Sequence, residues 1–333
     1  MGAKQGVAHI FIAVENSTVN AGQEISCIAH LLLNEKIKFA SLDITFTGRE
    51  RLRFQGDGIK TGKYNFIQFK NSLLQPGQKE IQAGSYSFPF IIEIPKNVPG
   101  TFKANMKRFE AKIQYKVKVE LRSNKELIGK SKSEIIVEQT FDQNRYSVLT
   151  NHAGTIVCCD CCRKGVCELV AHIDKNAYLP QENAKLWVSV NNGNSRRALS
   201  GIGVMFWRVI RLISHDNEVG VFKKCIFNTN VNVNVASGEK LLTGKEIQID
   251  IPIYSKEIEL DQCVTTVGKI VQCRYFIEIT TDFGRCMSRI VDFEVPLIVV
   301  PKFIPPEMPS APEDWHPVEM PMARFSSYES ETS

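Results

Sequence analysis

Apolar and polar residues alternate along most of this chain. Every second residue is apolar from Ala40 to Phe46, and the same period of two runs from Ala111 to Leu121. It returns in Val231–Val235, Ile247–Ile253 and Val291–Val295. A period of two is typical of a β-strand that buries one face and exposes the other. Because the chain has no convincing helical period, the pattern predicts an all-β protein built from antiparallel sandwiches.

The two halves of the chain carry similar landmarks. In the first half Gln23-Glu24 is followed by Ile94-Pro95, and a strand through a tyrosine comes next. In the second half Gln181-Glu182 is followed at nearly the same separation by Ile251-Pro252, and again by a strand through a tyrosine. Matched spacing together with matched strand texture favours duplication of one sandwich.

Length and composition agree with two soluble domains. The 333 residues suffice for two sandwiches of about 150 residues each. The sequence has neither an apolar run of the roughly 18 residues that a membrane span needs nor a signal peptide. We therefore expect a cytoplasmic protein whose ten cysteines are reduced thiols. The net charge of +5 is mild and fits an acidic partner without requiring one.

One stretch identifies a family. From Gly84 to Phe102 the sequence has the layout G-x-Y-x-F-P-F-x-x-x-I-P-x-x-x-P-x-x-F, which resembles the N-terminal domain of arrestins, particularly the α-arrestins. The stretch from Val157 to Tyr178 looks like the start of an α-arrestin C-terminal domain, where a cysteine-containing strand comes first. Gln181 stands where that family usually has glycine.

The resemblance implies both a fold and a function. The fold would be two tandem arrestin-like, immunoglobulin-type β-sandwiches, at residues 1–145 and 150–300. The function would be that of a non-enzymatic adaptor without a cofactor, which binds the cytoplasmic tails of membrane proteins. Such an adaptor directs those proteins into endocytosis, endosomal sorting or ubiquitination, and is recruited from the cytoplasm to the plasma membrane or endosomes. A retromer-type endosomal coat subunit is an alternative with the same fold.

The last segment, residues 301–333, has a different texture. It holds seven of the 14 prolines in the chain and ends in a run rich in serine and glutamate. Since proline lacks a backbone N–H, we expect a flexible tail that forms neither helix nor sheet ladder. Many α-arrestins recruit ubiquitin ligases through a PPxY motif in this region. Here Pro305-Pro306 is followed by Glu307-Met308, so recruitment of a ligase would need another contact.

A cysteine cluster, consisting of Cys158, Cys159, Cys161, Cys162 and Cys167, is the most chemical-looking feature. Its two-residue gaps are those with which paired thiolates hold zinc. The chain lacks a second C-x-x-C motif to complete four ligands, so we expect no bound metal. A metal- or redox-regulated scaffold and palmitoylation stay open as alternatives to buried or edge-strand thiols.

Other catalytic patterns are missing. The six histidines show no metal-ligand spacing, and we expect those within strands to be structural. Gly56-Asp57-Gly58 lies between two strand patterns without a following helix, which predicts a hairpin loop and not a phosphate-binding loop. The sequence also lacks a nucleophile elbow and a P-loop.

A run of eight basic residues lies between Lys103 and Lys125. Within it Lys112, Lys116 and Lys118 share one strand face. One interpretation is the solvated face of an edge strand, where lysine discourages pairing with other chains. The other is a surface for acidic or phosphorylated peptide tails, or for anionic lipid headgroups. Stacking aromatic residues are too few for nucleic acid. The first strand, Val7–Val14, lacks the lysine pair of phosphate-sensing arrestins.

Overall fold

The computed structural model confirms the all-β prediction. It describes residues 7–16, 18–141, 147–158, 162–215, 217–242, 244–253, 263–284, 287–289, 292–301 and 316–326. Strands joined by turns and short irregular segments make up all of these ranges. No helix that could cross a membrane occurs among the residues so described.

The chain divides into two compact units. Unit 1 comprises Met1–Thr140, Gly268–Val271 and Phe303–Ser333, and unit 2 comprises Phe141–Val267 and Gln272–Lys302. Unit 1 contains the strands β1 (Ala8–Val14), β2 (Thr18–Asn20), β3 (Glu24–Leu33), β4 (Ile37–Lys38), β5 (Ala40–Gly56), β6 (Gly58–Ser72), β7 (Glu80–Ile81), β8 (Gly84–Glu93), β9 (Phe102–Met106), β10 (Phe109–Ser123) and β11 (Glu126–Glu138).

Two sheets form the sandwich of unit 1. One has the order β1-β3-β8, and the other has the order β2-β11-β10-β5-β6, with β9 also paired to β10. The predicted hairpin is confirmed, since β5 ends at Gly56 and β6 begins at Gly58. The apolar faces of the strands bury large side chains, among them Phe46, Phe90 and Phe102, each at most 1% exposed. Burial of these alternating residues is what holds the sheets together.

Unit 2 has the same architecture. Its strands are β12 (Leu149–Cys158), β13 (Cys162–Ile173), β14 (Ala177–Tyr178), β15 (Asn183–Ser195), β16 (Leu199–Ser214), β17 (Asn217–Val235), β18 (Lys240–Leu241), β19 (Ile247–Pro252), β20 (Thr266–Val267), β21 (Val271–Asp282), β22 (Met287–Arg289) and β23 (Asp292–Val299). One sheet has the order β18-β15-β13-β12-β22, with β19 also on β15. The other has the order β14-β23-β21-β16-β17, with β20 on β21.

The same pair of hydrogen bonds occurs at corresponding positions in both units. Thr101 N donates to Val137 O, and Val137 N donates to the Thr101 hydroxyl. In unit 2 Thr265 and Val299 repeat both bonds. This repetition supports the duplicated sandwich that the sequence predicts.

The repeat also corrects the register of the sequence comparison. The amide of Gly22 donates to the carbonyl of Ile94, and in unit 2 Gln181 donates in the same way to Ile253. Gln181 therefore corresponds to Gly22 and not to Gln23. Both residues have positive φ, +92° at Gly22 and +80° at Gln181. Glutamine thus occupies a left-handed conformation that favours glycine.

We expect Gln181→Gly to stabilise unit 2 by about 0.5–1 kcal/mol, because glycine adopts positive φ without the steric cost of a Cβ atom. Gln181→Ala keeps the strained backbone but removes the rest of the side chain, so it should be no more stable than the wild type. Urea unfolding of the three proteins measures the difference. A glycine variant no more stable than the alanine variant would contradict the prediction.

The prediction that residues 301–333 form no sheet ladder is wrong for part of the tail. Strands β24 (Val318–Glu319) and β25 (Ala323–Ser326) pair in parallel with β8. Pro317 and Pro321 each lie just before a short ladder, where a missing N–H does not interrupt it. Proline density therefore did not predict the short ladders at residues 318–319 and 323–326. The segment Pro305–Met308 lies outside the described residues.

Candidate functional site

The three predicted lysines lie on one face of β10. Lys112, Lys116 and Lys118 are partly exposed, whereas Tyr115 and Val117 between them are fully buried. The strand therefore directs the lysines away from the core of unit 1, as its alternation predicts.

The expectation that these lysines lie on an edge strand is wrong, whereas a solvated outer face stays open as an interpretation. Strand β10 pairs with β5 on one side, and with β11 and β9 in succession on the other. A central strand has no free edge to protect, so protection against pairing does not explain its lysines.

Acidic residues lie beside the predicted lysines and offset their positive charge. Lys116 Nζ lies 3.3 Å from a carboxylate oxygen of Glu134, and Lys112 Nζ lies 4.0 Å from the other oxygen. Lys118 pairs with Glu120 at 3.2 Å. Burial alone would raise the pKa of Glu134, but Gln114, Lys112 and Lys116 lower it below its ordinary value. The lysines and their acidic partners thus form mutually compensating clusters.

A line of cations crosses this face of the sheet. Lys112 lies opposite Lys103 of β9 and Arg51 of β5, and Arg51 lies opposite Lys63 of β6. Lys103, Lys112, Arg51 and Lys63 thus form a line across four adjacent strands, which we call the basic row. Neither Arg51 nor Lys63 forms an ion pair with any residue that the structure describes.

The basic row works against the stability of the sheet. Like charges directly opposite one another on neighbouring strands repel, and each such pair costs a few tenths of a kcal/mol up to about 1 kcal/mol. Repeated repulsion of this kind is the pattern expected at a functional surface. An anionic partner bound along the row would offset the repulsion between these cations.

A small cleft lies beside the row. It has a volume of about 160 Å³, and its lining includes the cations Arg53, Lys107 and Arg108 and the acidic residue Glu110. Arg53 is opposite Glu110 of β10, one pleat from the basic row. The cleft extends the cationic surface towards the β9–β10 turn.

Half of this site was not predicted from the sequence. Arg51 and Lys63 lie far from the basic run in sequence and join it only through strand pairing. A signal was present, because Arg49, Arg51 and Arg53 follow the strand period on the polar side of β5. The order of strands in the sheet was needed to place those arginines beside Lys112.

Two members of the cysteine cluster lie opposite each other on paired strands. Cys158 ends β12 opposite Cys162, which begins β13. Cys159 and Cys161 lie outside the described residues, so the expectation that the cluster binds no zinc stays a prediction. Cys167 is fully buried, and burial followed by Glu168 raises its pKa to about 11. Within the part of the chain that the structure describes, no group of three metal-ligating side chains occurs.

A buried carboxylate is the second feature that sequence analysis missed. Glu50 is 1% exposed on the inner face of β5. It accepts hydrogen bonds from the backbone N–H groups of Lys269, Ile270 and Val271 at 2.8, 2.9 and 3.0 Å. All three residues belong to unit 1, although the rest of β21, which begins at Val271, belongs to unit 2. Burial raises the pKa of Glu50 above its ordinary value of 4.5, although the three N–H groups and Lys269 oppose that shift.

Two domain profiles of known families match this chain, one in each half. The sequence profile of the arrestin (or S-antigen) N-terminal domain matches residues 8–144, and that of the arrestin C-terminal domain matches residues 163–304. The two matches together include most of the chain. The chain belongs to the arrestin family.

Curated relatives of this arrestin are arrestin domain-containing proteins. It is 25% identical over 267 residues to arrestin domain-containing protein A of Dictyostelium discoideum, which covers 75% of this chain and 41% of that protein. It is 23% identical over 120 residues to arrestin domain-containing protein 5 of Homo sapiens, covering 35% of this chain and 34% of that protein. The match thus spans less than half the length of either relative.

The second stretch that resembles the family, which ends at Tyr178, contains residues with a structural role. The hydroxyl of Tyr178 donates to Asp174 at 2.8 Å, and Asp174 also accepts the backbone N–H of Lys185. Lys175 pairs with Glu182 at 2.8 Å. These bonds fix the turn between β13 and β15, so the signature residues hold this turn in place. Arrestin-family proteins are generally adaptors without catalytic activity.

Proposed function

We propose that this arrestin is a non-enzymatic adaptor whose basic row binds acidic segments in the cytoplasmic tails of membrane proteins. By binding those tails it would direct the proteins into endocytosis, endosomal sorting or ubiquitination. The protein would act from the cytoplasm and be recruited to the plasma membrane or endosomes through its cargo. The observation that carries the proposal is the line of four cations, Lys103, Lys112, Arg51 and Lys63, across neighbouring strands.

The charge pattern favours a peptide over a bilayer surface. Acidic residues Glu110, Glu120 and Glu134 lie on the same face of the sheet and divide its positive charge into strips. A flat anionic membrane would meet these carboxylates together with the cations and be repelled by them. An extended acidic peptide is narrow enough to follow the cations alone. Neighbouring strands lie about 4.8 Å apart, so four cations give a line roughly 15 Å long.

Absence of lysine from β1, whose sequence is AHIFIAV, supports charge recognition that does not depend on the first strand. We propose that acidic side chains suffice as ligands for the basic row. A ubiquitin ligase or a coat protein would be a further partner, recruited by surfaces other than a PPxY motif. Membership of a stable endosomal coat remains the alternative, and copurification of stoichiometric partners would favour it.

Reversing the charges of the basic row should weaken the binding of an acidic peptide. We expect Arg51→Glu, Lys63→Glu and Lys112→Glu together to reduce affinity for a fluorescein-labelled, glutamate-rich peptide by about thirtyfold at low salt. Each reversal removes an attraction and adds a repulsion, and about 2 kcal/mol in total corresponds to that factor. Fluorescence anisotropy across a salt series measures it. Wild-type binding should weaken steeply with salt, whereas the variant should respond little.

Two control variants sharpen this experiment. Lys79→Glu, Lys96→Glu and Lys125→Glu change the net charge equally at exposed positions outside the row, and should lower affinity only slightly. Lys116→Glu with Lys118→Glu changes lysines already paired with Glu134 and Glu120, and should have an intermediate effect. Equal losses in all three variants would indicate a net-charge effect and contradict a specific row. Tighter binding to anionic vesicles than to the peptide would reassign the surface to the membrane.

A further inference from the structure

The tail of unit 1 occupies one edge of a sheet. Ala323, Arg324, Phe325 and Ser326 lie opposite Phe90, Ile91, Ile92 and Glu93 of β8 in a parallel ladder. Upstream, Met320 N donates to Ser87 O at 2.9 Å. Strand β8 pairs with β3 on its other side, so the tail completes the hydrogen bonding of an otherwise open edge.

Specific side-chain contacts accompany the ladder. The ring of Phe325 is 9% exposed and packs against Phe90 and Phe69, with ring centroids 6.3 Å away in both cases. The Arg324 guanidinium lies 2.8 Å from a carboxylate oxygen of Glu24. The aromatic residue thus enters the core side of the sheet while the arginine lies on its outer side, as alternate residues of a strand must.

The outer side of this sheet also has an apolar groove. Its volume is about 320 Å³, and its lining includes Ile28, Pro89, Ile91 and Met322, with Glu15 as its acidic member. Met322 is 61% exposed and so fills little of the groove. Since Glu15, Glu24 and Glu93 lie on this face, it favours cationic over acidic ligands.

The tail is held weakly. Among the described tail residues 316–326 only Phe325 is buried, and Val318 is 57% exposed. Side chains of the Arg324–Glu24 pair are 67% and 51% exposed, so this ion pair adds little. A strand with only one buried side chain detaches locally with a small free energy of opening. Its position is maintained largely because it is tethered.

We propose that the β8 edge is a peptide-binding site and that the tail is its tethered occupant. The partner is a protein segment in extended conformation that adds to β8 in parallel. It carries an arginine followed directly by an aromatic residue, with an apolar residue two positions before the arginine. The arginine pairs with Glu24, the aromatic ring replaces Phe325 against Phe69 and Phe90, and the apolar side chain fills the groove beside Ile28.

This site is independent of the basic row. It lies on the other sheet of unit 1 and selects the opposite charge, so either proposal can fail without the other. The acidic peptide used to test the basic row should therefore not compete at the β8 edge.

Freeing the edge tests the proposal in the full chain. Arg324→Glu with Phe325→Pro removes the ion pair, the ring and one ladder N–H, and we call this protein the release variant. The probe is a fluorescein-labelled peptide with the sequence of residues 316–326. We expect it to bind the release variant at least about tenfold more tightly than the wild type, where a tethered copy competes at an effective concentration on the order of millimolar. Anisotropy measures both affinities.

Altered peptides test the two side-chain contacts. A peptide with Phe325→Ser should lose at least about tenfold in affinity for the release variant. A peptide with Arg324→Glu should also bind weakly, and Glu24→Arg in the release variant should restore its binding. Hydrogen exchange should be faster at residues 84–93 in the release variant than in the wild type. Exposed β8 amides without peptide binding would overturn the proposal, as would equal binding of the Phe325→Ser peptide.

Discussion

Replacing Glu50 with alanine should destabilise unit 1 by about 3–5 kcal/mol. The substitution leaves the buried N–H groups of Lys269, Ile270 and Val271 without their acceptor, and each unsatisfied buried donor costs about 1–3 kcal/mol. The expected fall in the unfolding temperature of this unit is roughly 10 °C. Differential scanning calorimetry measures the change, provided that the transitions of the two units are resolved.

Glutamine is the matched control at position 50. Its carbonyl oxygen accepts from only part of the set, while its NH₂ group faces the remaining N–H groups. We therefore expect Glu50→Gln to be destabilised less than Glu50→Ala but measurably relative to the wild type. Exposed Glu319→Ala should change stability by less than about 0.5 kcal/mol. If Glu50→Ala were as stable as Glu319→Ala, the three hydrogen bonds would not matter to the fold.

Stability should also depend on the ionisation of Glu50. Because burial raises its pKa in the folded state, protonation favours folding. Its contribution is fully present below the ordinary value of 4.5 and is lost as pH rises through the raised value. Glu134 and Glu120 have lowered pKa values and act in the opposite direction. The difference in unfolding free energy between wild type and Glu50→Gln, measured from pH 4 to pH 8, isolates the effect of Glu50.

Replacing Asn192 with aspartate should destabilise unit 2 by about 4 kcal/mol or more. Asn192 is fully buried, and its Nδ2 group donates to the carbonyl oxygens of Arg197, Val235 and Ala236 at 2.8, 3.2 and 3.0 Å. Aspartate has nearly the same shape but no hydrogen to donate. A buried carboxylate facing three carbonyl oxygens is repelled, and either ionisation or protonation of it is costly.

Alanine separates loss of the donor from repulsion by the new acid. Asn192→Ala should cost about 2–3 kcal/mol, less than the aspartate variant, because it leaves acceptors unpaired without adding charge. Asn194→Asp, at an exposed position on the same strand, controls for the added charge and should change stability by under about 0.5 kcal/mol. Urea unfolding gives the order of the three variants. An aspartate variant more stable than the alanine variant would contradict the donor role.

Local sequence was sufficient for the strands and the family. Alternation predicted the buried and exposed faces of β10, where Tyr115 is buried and Lys116 is not. It also placed the hairpin at Gly56–Gly58. These features depend on residues close together in the chain, since the side-chain direction of a strand repeats every two residues. The positive φ at Gln181, by contrast, was marked in sequence only by departure from the family pattern.

Tertiary structure decided which residues became neighbours. Pairing of β9, β10, β5 and β6 brought Arg51 and Lys63 beside Lys112 and turned a basic run into a row. Folding brought the backbone N–H groups of residues 269–271, which are distant in sequence, within hydrogen-bond distance of Glu50. Pairing of the tail with β8 buried Phe325. Alternation specifies which face a side chain takes but not which strand lies beside it. That choice depends on packing between segments distant in sequence, which no local pattern contains.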